Sequence, residues 1–544
     1  MRKLRSPLML IILLISSITA TGCKDEMQST QQSAEPGKPV VITTAKALRD
    51  YDILKSDDTI DNNPITRWAR ERLGIIQKNK WVLTDQNQAM ATRVKLALSG
   101  NEELPDILFL SDKDIPDLLE SLVKSGKFMD IGQAFEAYAS PRVKEAFRHN
   151  PDVWRTVRIE GEAWGLPQIS DDKVGSPILW IREDWLQRLK LSPPDTLDAF
   201  EKVLDAFSND DPDGNGKKDT VGLALGGKNS LNGWMGDASL LFGAYGDQPY
   251  QWNRSQKDGK LTYGSIEPSM RPALERLHQW YAGGYLDPDF GTHDEQEAVK
   301  QFMSGRAGII SGPGWMGGWP LSEMQQAGIA IKPIPFPQGP GGRVNKIGSQ
   351  ISYGAYFFRK DFAHMDLVFK YWDHVYGSLV EDPNSDFLYG YGEGYDHIRK
   401  DGEVIYDFPG GSSSTLGNFF LVGPGSVPTN VLHGESIEER VLRGSISTPY
   451  EKKSAAKSSR LFLEGMVVGN TQVKYSHPNQ FVGPFTPTMS LKWPLLKKLE
   501  KDTFLKIVYG KQSPDDFDRF VQQWREQGGD EITHEVNLWE QSVQ

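Results

Sequence analysis

Between Asp211 and Asp219 the chain reads DPDGNGKKD, and oxygen-bearing side chains recur at Asp211, Asp213, Asn215 and Asp219. Alternate spacing lets a tight loop curl round one hard cation and aim successive oxygens inward. Gly216 stands where such a loop turns sharply, and the carbonyl of Lys217 can serve as a main-chain ligand. This is the first half of an EF-hand-like loop, and it predicts one structural Ca²⁺. The twelfth position is Gly222 rather than Glu, so Asp219 has to supply the strong carboxylate, with Thr220 or a distant group completing the shell. The alternative is a metal-free, Asx-rich surface turn. Three carboxylates at this spacing repel one another without a cation, which favours Ca²⁺.

A second chemistry is carried by aromatic residues set among glycines. Gly312 to Pro320 reads GPGWMGGWP after an apolar strand. It contains GxGxxG formally, but Pro313 and Pro320 bracket it, no helix opens on the glycines and no acidic residue follows at the expected distance. A dinucleotide site is therefore rejected. The segment instead displays Trp315 and Trp319, and exposed indoles call for something to cover them. Trp164, in GEAWGLPQ, either stacks on a ligand ring or belongs to the core. Tyr395 lies in the Tyr- and Gly-dense YGYGEGYD. Ser111 and Asp112 end an apolar strand, where they line a ligand lip or cap the next helix. Flat C–H faces of pyranose rings sit on such aromatics while Asp, Asn and Gln fix hydroxyls. The expected ligand is thus an oligosaccharide, neutral or uronate-containing, with a peptide left open. Arg306 and Arg343 are candidate partners for an acidic sugar.

No catalytic constellation stands out. The sequence has no GxSxG, HExxH or P-loop, and its nine His are scattered without metal-ligand spacing. With 72 acidic residues some pair always resembles a glycosidase dyad, so such a pair decides nothing. A surface glycoside hydrolase or lyase is the alternative to a binding protein. The formal charge of −11 argues against nucleic acid as a partner. A single cysteine excludes internal disulfides and cysteine-rich zinc sites. That cysteine, Cys23, follows Ala20-Thr21-Gly22, an apolar run from Leu8 to Ile18 and a basic start at Arg2, Lys3 and Arg5. The arrangement is a signal peptide (1–22) ending in a lipobox, with Cys23 lipidated. Residues 23–38 form a polar, flexible tether. The expected location is the extracytoplasmic face of the cell membrane.

The elements that must position these groups alternate. Apolar runs near Pro39–Thr44, Trp81–Leu83, Leu104–Leu110, Ile178–Ile181, Ala307–Ser311 and Gly354–Arg359 are predicted strands. Helical patterns separate them, such as the stripe Phe200, Val203, Leu204, Phe207, with Thr196 as its cap. This is an α/β pattern with parallel strands and helices on both faces, in which ligands bind beyond the carboxyl ends of the strands.

The block Ile181-Arg182-Glu183-Asp184-Trp185-Leu186, Pro194-Asp195-Thr196-Leu197 and Asp211 through Thr220 closely resembles, in this order, the family-1 extracellular solute-binding lipoproteins of ABC importers. These are the LipO-like proteins, similar to alginate- and oligosaccharide-binding proteins. GEAWGLPQ, the 285–290 segment and the 389–396 loop add to the match. The resemblance implies a two-lobed, type II periplasmic-binding-protein-like fold with hinge crossovers and a ligand cleft between lobes. Residues 39–165 and 295–345 are expected in the N-terminal lobe, and 166–294 and 346–544, with the calcium loop 211–220, in the C-terminal lobe. It also implies a monomer that closes on its solute and delivers it to permease subunits.

Overall fold

Two mixed sheets organise the chain, each built from short apolar strands covered by amphipathic helices. The computed structural model describes residues 38–543 except 51, 56, 85–87, 171–174, 378–381, 411–415 and 427–435. The signal peptide, Cys23 and nearly all of the tether lie outside the described residues. Among the described residues no helix is long and apolar enough to cross a membrane.

The first sheet has the order Ile75–Thr84, Val40–Leu48, Ile107–Ser111, Ser352–Phe358, Leu166–Ile169, and only Ser352–Phe358 runs against the others. The second has the order Ile331–Ile334, Pro177–Arg182, Ala307–Pro313, Val221–Ala224, and only Pro177–Arg182 runs against the others. In each sheet the reversed strand is the one the chain enters on arriving from the other sheet. Its register shows where the crossovers lie. Ser352 pairs with Ile169 and Gly354 with Ser111, while Pro177 pairs with Pro313. The carboxyl ends of the parallel strands of both sheets therefore face the crossovers, which is where ligands bind in open α/β sheets.

The crossovers are tied to one another. The Gly175 N–H donates to Ser349 Oγ at 2.9 Å, the Ser176 and Ser476 hydroxyls meet at 2.8 Å, and the Gly348 N–H donates to the His477 carbonyl at 3.0 Å. Lys346–Ile347 pairs in parallel with Ser476–His477. Three chain passages thus share one small hydrogen-bonded joint.

Strand pairing corrects the expected division of the chain. Ala307–Pro313, expected in the N-terminal lobe with 295–345, belongs to the second sheet. Leu166–Ile169 and Ser352–Phe358, expected in the C-terminal lobe, belong to the first. The local pattern is the same in each case, an apolar strand beside a helix, and it carries no information about which sheet a strand joins.

The helical stripe forms as its spacing requires. Phe200, Val203, Leu204 and Phe207 are all buried in the helix Leu197–Asn209, whose first turn is capped by Thr196 Oγ1, an acceptor for the Ala199 N–H at 3.3 Å. Phe207 meets Trp185 edge to face at 5.3 Å. Burying each such ring is worth about 1.5–3 kcal/mol, so Phe200→Ala should cost about 3–5 kcal/mol. At the other end of the chain, Gly528 takes a positive φ of 123°. It kinks the chain into one more helix, Asp530–Val543. Glu540 of that helix is buried and bridges Arg155, from the first lobe, and Arg254, at 2.6 Å, from the second.

Candidate functional site

In the first lobe the carboxyl ends of Val40–Leu48 and Ile107–Ser111 open into a cavity of about 440 Å³, whose lining includes Lys46, Phe109, Ser111, Gln168, Tyr356 and Phe420. Its walls are held by their own bonds. The Tyr356 hydroxyl accepts the Gly423 N–H at 2.7 Å and the Gln168 amide at 3.1 Å, and its ring lies 4.9 Å from that of Phe109. Ser111 lines the cavity, with its hydroxyl donating to Asp114 Oδ2 at 2.9 Å. Asp112 follows it, its N–H on the Tyr353 carbonyl at 3.3 Å, and burial pushes its carboxyl up to about 6.

Lys46 stands on the strand itself, only 8% exposed, and its ammonium donates to the Phe420 carbonyl at 2.5 Å. Burial lowers it to about 7, and the opposing pull of Asp52 does not offset this. Asp52 is already engaged: it accepts from Arg49 Nε and Nη2 at 3.1 and 2.8 Å and from the Asn418 amide at 2.7 Å.

In the second lobe three tryptophans form a shelf. Trp315 is half-buried, while Trp234 and Trp319 are 56% and 54% exposed. Trp234 lies 5.0 Å from Trp315, and Trp319 stacks on Trp315 at 6.3 Å and 18°. The glycines of GPGWMGGWP explain the display. A Cβ on Gly314 would stand 2.6 Å from the Gly465 carbonyl oxygen, and one on Gly317 would stand 2.4 Å from that of Leu461. The turn Gly314–Gly317 therefore packs backbone to backbone on the helix Arg460–Thr471, with Trp315 left half-buried at the edge of the core. The glycines serve that contact and open only a four-residue turn, in keeping with the rejection of a dinucleotide site. Close to Trp234 in the chain, the buried Asp237 accepts from Ser311 Oγ at 2.7 Å and Ser239 Oγ at 3.0 Å, and burial pushes its carboxyl up to about 6.

Two aromatic candidates fall elsewhere. Trp164 precedes the amino end of Leu166–Ile169, opposite the crossovers, and packs against the core formed by Leu108, Val157 and Phe357. Tyr395 is 4% exposed and in the core of the first lobe, with its hydroxyl donating to Asp58 Oδ2 at 2.6 Å and accepting the Lys55 N–H at 2.9 Å. Both rings are core because their loops fold back onto the sheet rather than over its carboxyl edge. The two arginines also lie apart. Arg306 sits at the amino end of Ala307–Pro313 beside Asp287 at 3.4 Å, and Arg343 caps the Tyr245 carbonyl at 2.7 Å. Trp234, Lys46, Phe109, Gln168, Tyr356 and Phe420 were missed. Trp234 sits in NGWMGD, the same glycine-flanked setting as Trp315, and Lys46 is a cation inside an apolar strand; both signals were available.

The predicted metal loop is closed on Asn215. Asp213 Oδ2 and Asp219 Oδ1 accept from the Asn215 side-chain amide at 2.7 and 3.2 Å, and Asp211 accepts the N–H groups of Asn215 and Gly216 at 3.0 Å each. The Lys217 N–H donates to Asn215 Oδ1 at 2.8 Å. Among the described residues no three His, Cys, Asp or Glu side chains are grouped as a metal cluster. The donors converging on Asn215 are nevertheless all oxygens, and rotating its amide exchanges N–H for a further oxygen. This set fits a hard cation.

Comparison with known proteins places this architecture. The fold matches the crystal structure of the alginate-binding protein AlgQ2 without calcium ion, with a TM-score of 0.62 at 17% identity, over 92% of this chain and 98% of that one. The chain is 24% identical to the polygalacturonan/rhamnogalacturonan-binding protein YtcQ of Bacillus subtilis (strain 168), over 98% of each chain. It is 26% identical to the lipoprotein LipO of the same organism, over 59% of each. The family model for bacterial extracellular solute-binding proteins matches residues 77–377, more than half of the chain. With its two sheets, its shared joint and its facing strand ends, the chain belongs to the bacterial extracellular solute-binding protein family.

Proposed function

We propose that this protein captures an oligosaccharide between its two lobes and presents it to the permease of an ABC importer. The observation that carries the reading is the pairing of two unlike surfaces at the carboxyl ends of the two sheets: a tryptophan shelf, Trp234, Trp315 and Trp319, and a polar–aromatic cavity that includes Ser111. Sugar rings suit the first and their hydroxyl groups the second. The names of the relatives, a polygalacturonan/rhamnogalacturonan-binding protein and an alginate-binding protein, support a glycan. In this reading the protein acts as a monomer, hinge closure joins the two surfaces round the solute, and a lipid on Cys23 holds it at the outer face of the membrane.

One Ca²⁺ is held by Asp211, Asp213, Asn215, the Lys217 carbonyl and Asp219. It neutralises the loop's carboxylates and fixes the turn that leads into Val221–Ala224.

Titration of oligosaccharides into the wild-type protein and Trp315→Ala, with melting temperatures measured alongside, tests the cleft. Loss of one stacked ring should weaken binding by about 1–3 kcal/mol with the melting temperature unchanged. Normal affinity with a large drop in melting temperature would make Trp315 a core residue and remove the shelf from the site.

A further inference from the structure

We propose that Lys46 makes this cleft selective for anionic sugars, its ammonium group receiving a uronate carboxylate that enters the first lobe's cavity. The inference rests on the oligosaccharide reading above and adds the charge of the ligand and the group that reads it.

The argument starts from an ammonium group with too few partners. A lysine head carries three N–H donors, and among the described residues Lys46 uses one, on the Phe420 carbonyl. Taking a cation out of water without a partner anion is costly. Buried lysines in a finished core are therefore paired or deprotonated. Here Asp52, the carboxylate that acts on it among the described residues, is spent on Arg49 and Asn418. Yet Lys46 lines a cavity at the carboxyl ends of the first lobe's strands rather than a closed core. The charged and titratable groups that share this surround are Arg49 and Asp52 after the strand, Asp114 and the flanking Asp112 beyond Ile107–Ser111, and the phenols Tyr353 and Tyr356. Among the described residues no carboxylate pairs with Lys46. A uronate supplies the missing anion and accepts a charge-assisted hydrogen bond, about twice as strong as a neutral one. A neutral sugar offers only a dipole.

The consequence is proton-coupled binding. With the empty protein's Lys46 near 7, a ligand that needs the ammonium form must draw a proton up at higher pH. Its affinity falls by about fifty-fold between pH 7 and 9, as the protonated fraction drops from a half to about one in a hundred. The uronate stays ionised throughout. Asp112, near 6, titrates below this window, so Asp112→Asn should alter affinity only at the acid end.

The test is calorimetric titration of the detergent-solubilised full chain with trigalacturonate and with neutral galactotriose, between pH 6 and 9. The expected result is tighter binding of trigalacturonate at pH 7, with proton uptake and the fifty-fold loss by pH 9, and no such slope for galactotriose. Lys46→Arg should keep trigalacturonate binding but lose the slope, and Lys46→Met should lose the preference for the acidic sugar. Because Lys46→Met loses a buried hydrogen bond, its melting temperature is measured, and the wild-type slope together with Lys46→Arg decides the matter if it unfolds. Equal or better binding of galactotriose, or trigalacturonate binding without a pH slope in the wild type, overturns the role of Lys46 while the oligosaccharide reading stands. Binding of neither sugar overturns both.

Discussion

The two surfaces that face the crossovers are built on opposite principles. In the first lobe the groups bind one another: Gln168 and Gly423 hold Tyr356, Ser111 holds Asp114, and Arg49 and Asn418 hold Asp52. In the second lobe the tryptophans stack on one another, Trp315 resting on the core while Trp234 and Trp319 are more than half exposed. The first surface is a shaped hole with fixed donors and acceptors, suited to choosing a ligand. The second is broad apolar area that stays wet until something covers it, suited to supplying contact energy. In the proposed reading the lobes divide the work, so that closure and binding become one event.

This contrast can be broken most strongly by stripping the shelf. Trp234→Ala with Trp315→Ala should cost about 2–4 kcal/mol of affinity, less than twice the single loss because the rings touch, and should leave the melting temperature nearly unchanged. A large fall in stability instead would show that the shelf belongs to the core.

The next effect concerns the interior of the second lobe. Glu500, on the helix Pro487–Val508, accepts from the Tyr263 hydroxyl at 2.9 Å, and burial pushes its carboxyl up from an ordinary 4.5 to about 7. The folded protein therefore holds a proton that the unfolded chain releases between these values. That contribution is full below pH 4.5 and lost as pH rises through 7, and it amounts to about 3 kcal/mol. Glu500→Gln should flatten this part of the pH–stability curve without changing affinity, as followed by urea denaturation from pH 5 to 8.

Chelation probes the same lobe. At a hundredfold excess over its Kd, Ca²⁺ should add about 2.7 kcal/mol of stability, which EDTA should remove from the wild type and not from Asp213→Ala. Calorimetric melting with and without EDTA reads both.

The smallest effect separates core from cavity in the first lobe. Tyr395→Phe leaves the ring and removes a charge-assisted bond to Asp58, so it should cost about 1.5–3 kcal/mol of stability and no affinity. Weakened sugar binding would return Tyr395 to the site.

What the sequence disclosed follows the range of the interactions concerned. Strands, the Thr196 cap and the Phe200–Phe207 stripe depend on neighbours within a few residues, and they were legible from spacing. The glycine-bracketed Trp315 and Trp319 were legible for the same reason, since a turn packed backbone to backbone needs glycines wherever it occurs. Sheet membership was not. The strands 307–313 and 352–358 are both short, apolar and buried, and their partners lie more than a hundred residues away in some pairings. Trp164 and Tyr395 misled because a tryptophan or tyrosine near glycines is equally at home on a cleft or folded back on a sheet. Lys46 was visible as a charge in an apolar strand, but its meaning came only with the 416–420 segment that covers it from far along the chain.

The claim that the solute is gripped by both lobes is tested most directly by small-angle X-ray scattering of the protein with and without a bound oligosaccharide. The account predicts that saturation shrinks the radius of gyration in the wild type, and that the Trp234→Ala, Trp315→Ala protein, at concentrations where its cavity is still occupied, shrinks less. A radius unchanged by saturating ligand, with affinity intact, would mean that one lobe holds the sugar alone and would contradict it.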